Sequence, residues 1–215
     1  MHKATLDKRN QMARLRIARY QLGTALKLFI DDDDPISVQI LTSAAREIAG
    51  YAASSAGKIP WSYYQKIANP NLDDLQMKKL MNEFANSFKH PLDYKKQERN
   101  SWETFVSFND DTNAHHLFFA WFDYLVAAES APPEAQVFQI WYPLRMGNKN
   151  LLPNPFQEFE NIDKLPLSEA KWILRRVCQK ARQNIELMND PKTDKIPLIM
   201  TRKHFDVETF SLSGS

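Results

Sequence analysis

Apolar side chains return every three or four residues along most of this chain, and that spacing is buried most readily on one face of an α-helix. Leu15, Ala18, Leu22, Ala25, Leu26 and Phe29 mark a helix over about 8–30. Ile36, Ile40, Leu41, Ala44, Ala45, Ile48 and Ala49 mark a second over about 35–55. The 215 residues contain only five glycines, few for a turn-rich all-β protein.

Punctuation between the periodic stretches sets the helix limits. Asp31 to Asp34 followed by Pro35 is a helix-start signal, with a carboxylate before a proline at the first helical position. The run lacks the alternating ligands and glycine of a calcium loop, so no metal site is assigned to it. A short helix or turn at 61–67 stops at Asn69-Pro70-Asn71. A long helix over 72–89, with Leu72, Leu75, Leu80, Met81, Phe84 and Phe88, stops at Pro91. Residues 91–110 read as a loop with one extended piece, Trp102 to Phe108, whose rings stay partly buried. Asp110 or Asp111 then caps a strongly apolar helix over 112–129, the candidate centre of the fold. Pro132-Pro133 opens a helix through Leu144, residues 147–166 form a connecting loop, and Ser168 caps a last long helix through Met188. The expectation is an all-α protein, an antiparallel bundle of six to seven helices. One domain spans 1–189, and 190–215 is a loosely ordered tail with a docked piece at Ile196 to Met200.

Composition is that of a globular chain, 43% hydrophobic and 25% charged. The net charge of +2 gives no global argument for nucleic acid. Two stretches are locally basic. In residues 1–20 six cations face Asp7, leaving +5, and in 164–182 six face Glu169, leaving +5 again. They read either as solvated faces or as a phosphate patch. The single Cys178 excludes an intrachain disulfide framework and suits a small buried side chain. With no membrane-length apolar run and no signal-like apolar region, the expectation is a cytoplasmic protein without a membrane partner.

The familiar chemical motifs are absent: no glycine-rich phosphate loop, no Cys-x-x-Cys, no His-Glu-x-x-His and no Gly-x-Ser-x-Gly. His115 and His116 are adjacent, so a helix splays them by about 100° and they form no bidentate metal pair. No metal or cofactor is therefore expected. Polar residues set into apolar faces carry the remaining signal: Arg46 and Glu47, Asp123 and Tyr124, and Asn86, Lys89 and His90. Burying a charge is costly unless it is paired, so a network such as Arg46 with Asp123 is expected. It is either a clamp fixing helix register or a shared pocket. His90 is the member whose side-chain type titrates near neutrality, the natural acid or base.

The segment Asn86-Ser87-Phe88-Lys89-His90 resembles the helix end of HEPN-like bacterial helical domains, and of a set of bacterial proteins reading Asn-Phe-Phe-Lys-His there. The likeness covers roughly residues 10–130. The HEPN motif is Arg, commonly Asn, three residues and His, and in active members it serves metal-independent RNA cleavage. Asn86 and His90 match it, and Ala85 occupies the Arg position. By this resemblance His90 would act as acid or base and Lys89 would stabilise developing phosphate charge.

Three functions follow as expectations. The first is a non-catalytic helical interaction module forming a homodimer or a complex with a protein partner, with Trp61, Tyr63 and Tyr64 as contact residues. The second is an RNA-binding protein or metal-independent ribonuclease. The third is a helical bundle with a small-molecule pocket around Arg46, Asp123 and His90.

Overall fold

In a computed structural model, residues 2–148 and 156–205 are described, and they are all-helical. Ten α-helices run in order: α1 (His2–Asp31), α2 (Pro35–Ser55), α3 (Trp61–Ala68), α4 (Asp74–Met81), α5 (Glu83–Lys89), α6 (Ser101–Ser107), α7 (Asp110–Ala128), α8 (Pro133–Arg145), α9 (Leu167–Gln183) and α10 (Ile185–Asn189). Short 3-10 turns occupy Gln157–Phe159, Ile162–Lys164 and Arg202–Phe205.

The start signal of α2 forms as the sequence implies. The Asp34 carboxylate accepts hydrogen bonds from Ile36 N at 3.0 Å and Ser37 N at 3.2 Å, with Pro35 in the first turn. These bonds, with one from the Ser37 hydroxyl, hold its carboxyl below the ordinary value. Neighbouring carboxylates go elsewhere: Asp31 to Lys27 and Arg175, Asp32 to Lys171. Asp32, at φ 62°, turns the chain out of α1 through left-handed space. The three-residue link Asp32–Asp34 forces α2 back along α1.

The core lies between α1, α2, α7, α8 and α9. Phe29, Phe138 and Trp141 meet with ring centroids 5.6–5.9 Å apart, and the Trp141 indole donates to Ala170 O at 3.2 Å. In α7, Leu117, Ala120 and Trp121 are wholly buried, which gives this helix the central place its composition implied. Buried Cys178 has its thiol pushed well up by burial and the charge of Glu134.

Several limits differ from the sequence reading. The helix over 72–89 is two helices, broken at Asn82, whose side chain is drawn into buried bonds described below. Leu75 and Leu80 stay 77% and 58% exposed. Trp102 to Ser107 is helical, not extended, because Asn100 Oδ1 caps Glu103 N at 3.1 Å, and Phe108 alone keeps an extended backbone. Trp102 and Phe105 are exposed rather than partly buried, and only Phe108 tucks in, 5.2 and 5.1 Å from the Phe84 and Phe88 rings. Asn109 caps α7 in place of Asp110 or Asp111. The last long helix starts at Leu167 without a Ser168 cap and is interrupted at Asn184. These two interruptions and the added helix α6 account for the ten α-helices in place of six to seven.

The expected tail is docked where it is described. Thr193, Leu198 and Met200 are buried, and Ala131 exchanges backbone bonds with Lys192 and Asp194. The guanidinium of Arg19, itself buried, donates to Asp194 at 2.8 Å and to the carbonyls of Leu198 and Pro197 at 3.1 Å. The final residues, 206–215, and part of the connecting loop, 149–155, lie outside the described residues.

Candidate functional site

A buried polar junction lies where α2 meets the corner between α4 and α5. Asn82, between α4 and α5, is its hub. Its Oδ1 accepts from Ser43 Oγ at 2.8 Å and from Arg46 Nη2 at 2.6 Å, and its Nδ2 donates to Glu47 Oε1 at 3.1 Å. Arg46 Nη2 also reaches Met81 O at 3.1 Å, one of the carbonyls freed where α4 ends. Burial lowers the Arg46 pKa, while Glu47 and Asp123 oppose that shift. Asn82 was not among the residues singled out from sequence. Its signal was a poor helix former in mid-pattern, able to bond other groups with its side chain.

Asp123 does not form the expected ion pair with Arg46. Its Oδ1 accepts the backbone N–H of Trp61 at 2.5 Å, so a core carboxylate fixes the first residue of α3. Gly50 lets it approach α2, since an added Cβ there would sit 3.3 Å from Asp123 Oδ2. Burial pushes the Asp123 carboxyl up to about 6, against the opposing Trp61 bond and the Arg46 charge. The Trp61 ring stacks on Phe119, centroids 3.8 Å apart. Tyr124 is buried with its hydroxyl pushed up to about 12, chiefly by burial, and Glu47 is exposed.

The histidines of α7 are engaged separately. Gln39 Nε2 donates to His116 Nδ1 at 2.9 Å, the orientation a neutral imidazole requires. Burial, then the charges of Arg46 and His115, holds His116 down to about 3. His115 Nδ1 lies 2.6 Å from the Tyr142 hydroxyl. Burial and Arg46 lower its pKa as well.

The Asn86, Lys89 and His90 group stands apart. Asn86 is half-buried, Lys89 and His90 are exposed at the end of α5, and Ala85 is fully buried. At 1.5 Å per residue, Asn82 and His90 are separated by about 12 Å along the helix. Arg46, bonded at the start of α5, therefore does not supply a guanidinium beside His90. Arg46, Asp123 and His90 do not converge on one pocket.

Part of each basic stretch is tied into the fold. Lys171 is 1% exposed, bonded to Asp32 at 2.7 Å and to Asp110. Arg175 pairs with Asp31, Lys180 with Glu158, and Arg182 with Glu134 through two nitrogens. Arg19 holds the tail, and Arg14 lies over the Tyr51 ring. Lys8, Arg9, Lys164, Arg176 and Lys180 stay exposed, so the solvated-face reading and the phosphate-patch reading both keep part of these stretches.

Open apolar area lies elsewhere. Of seventeen exposed large apolar side chains among the described residues, eleven fall between Ile59 and Val106. Leu75, Tyr94 and Trp102 are 75–78% exposed. Trp102, Phe105 and Val106 share one face of α6. The chain matches no protein-family model, no curated protein and no solved structure. The HEPN-like resemblance thus rests on the Asn86 to His90 segment. No described helix is long and apolar enough to cross a membrane.

Proposed function

We propose that this chain is a non-catalytic helical interaction module whose α3–α6 region docks onto a protein, with a second copy of the chain as the favoured partner. The observation that carries this reading is the concentration of exposed apolar side chains on residues 59–106. Five of the eleven are rings of ~150–250 Å² each, so half-open they alone offer on the order of 500 Å², and the six aliphatic side chains add to that, against the ~800 Å² per partner of a standard interface. Charge supports a protein partner over a polyanion. Residues 59–106 carry seven Lys and Arg against six Asp and Glu, so two copies meet without strong repulsion. The rest of the fold acts as the scaffold, with Asp123 fixing the start of α3 and Asn82 the α4–α5 corner.

The test is light scattering from micromolar to sub-millimolar concentration on the wild type and on a Trp102→Ser, Phe105→Ser double variant. Both replaced side chains are exposed, so circular dichroism should be unchanged. A wild-type mass rising to that of a dimer, with the variant monomeric, supports the proposal. A monomeric wild type, or equal association of the variant, overturns the choice of partner. RNA association is a second reading, favoured by exposed Lys89 and His90 beside Asn86. Chelator-resistant RNA cleavage lost in His90→Ala would establish it over the first.

A further inference from the structure

A groove of about 410 Å³ opens between α1, α9 and the docked tail, away from the α3–α6 face. That volume is within the range of small-molecule clefts. Ile30, Cys178, Leu198 and Ile199 give it an apolar wall. The tail half of this wall is held in place by Arg19, bonded to Leu198 O, and by Arg182, bonded to the carbonyls of Lys195 and Ile196.

The charged rim is unevenly satisfied. Arg182 is spent, with Nε and Nη2 on Glu134 and Nη1 on the tail carbonyls. At the other end Lys27 and Arg175 share one carboxylate, Asp31. Arg175 Nη2 donates to Ile30 O at 2.9 Å. Its Nη1 and two of the three Lys27 protons make no hydrogen bond among the described residues. Two cations against one anion leave a surplus of one positive charge, with unspent donors, beside an apolar wall.

We propose that this groove binds a small amphiphilic monocarboxylate, its head on Lys27 and Arg175 and its chain along Ile30, Leu198 and Ile199. One carboxylate would balance the surplus charge and take up the free donors. A cationic amphiphile would add to the surplus, and an uncharged one would leave the donors unused. This proposal does not depend on the dimer reading.

Calorimetric titration with decanoate, decanol and decyltrimethylammonium tests it, using the full chain and two variants at exposed rim positions, Ile199→Glu and Lys27→Gln. Saturable 1:1 binding of decanoate is expected, at least tenfold weaker in Ile199→Glu and several-fold weaker in Lys27→Gln. Decanol should bind more weakly and the ammonium compound least. Absence of saturable decanoate binding overturns the proposal. So does equal binding of the cationic amphiphile, or unchanged decanoate affinity in Ile199→Glu with its circular dichroism intact.

Discussion

Replacing Gly23 by alanine sets local helix preference directly against tertiary packing. Gly23 lies in the interior of α1, where alanine is favoured by about 1 kcal/mol on propensity alone. In the fold, however, a Cβ at this position would overlap the carbonyl oxygen of Leu198, a backbone atom, and stand 2.7 Å from Arg19 Nη1. The tail must then lift. Lifting exposes Leu198 and Met200, a loss of roughly 1.5–3 kcal/mol for each side chain at full burial. It also breaks the bonds from Arg19 to three tail carbonyls, of order 1.5–3 kcal/mol each for a charged donor. Freeing the backbone of residues 195–200 returns about 1–2 kcal/mol per residue, which offsets most of that loss. The tail is thus held by a few kcal/mol. After the propensity gain, a net destabilisation of about 0.5–2 kcal/mol remains, and the midpoint falls by roughly 1–8 °C in a chain of this size. Scanning calorimetry reads the midpoint, and amide exchange at Ile196 to Met200 reads the docking. A raised midpoint with unchanged protection in Gly23→Ala would refute the packing argument.

Three other outcomes are expected. Asn82→Ala removes the acceptor shared by Ser43 and Arg46 and should cost about 2–4 kcal/mol in urea denaturation, because a buried guanidinium loses a partner; a loss below about 1 kcal/mol would deny Asn82 its role as hub. Asp123 has a folded pKa raised from 3.8 to about 6, so the folded state takes up the proton first. The stability of wild type relative to Asp123→Asn should therefore rise by roughly 2–3 kcal/mol as pH falls from neutral to about 4, and parallel pH profiles would contradict this. His116, held near 3, should show no imidazole titration by NMR between about pH 5 and 8, whereas a midpoint in that window would mean that its ring is hydrated.

Much of the architecture was readable from local signals. The Asp34–Pro35 start of α2, the central position of α7 and the docked piece at 196–200 all follow from periodicity, capping chemistry and apolar content, which act within a few residues. The candidate site was less legible. Arg46 and Asp123 were recognisable as polar residues on buried faces, but their partners were not. Arg46 bonds a side-chain amide and a carbonyl, and Asp123 a backbone N–H, and backbone partners leave no mark in residue type. The exposed aromatic face was misread because Trp and Phe in a short segment look like core until nothing packs over them.

The sequence by itself determined an all-helical chain, since three- and four-residue apolar spacing fits no other regular structure. It also determined where α2 and α8 begin, because Asp34-Pro35 and Pro132-Pro133 act through adjacent backbone groups. Only the tertiary structure decided which charges are structural. Lys171, Arg19 and Arg182 looked like solvent-facing basic residues, yet each is held by carboxylates or carbonyls from sequence-distant segments. The carboxylate pairings span 48 to 175 residues, a separation no local pattern encodes. The apolar side chains exposed between Ile59 and Val106 are open for the same reason, since burial depends on which elements arrive from elsewhere in the chain.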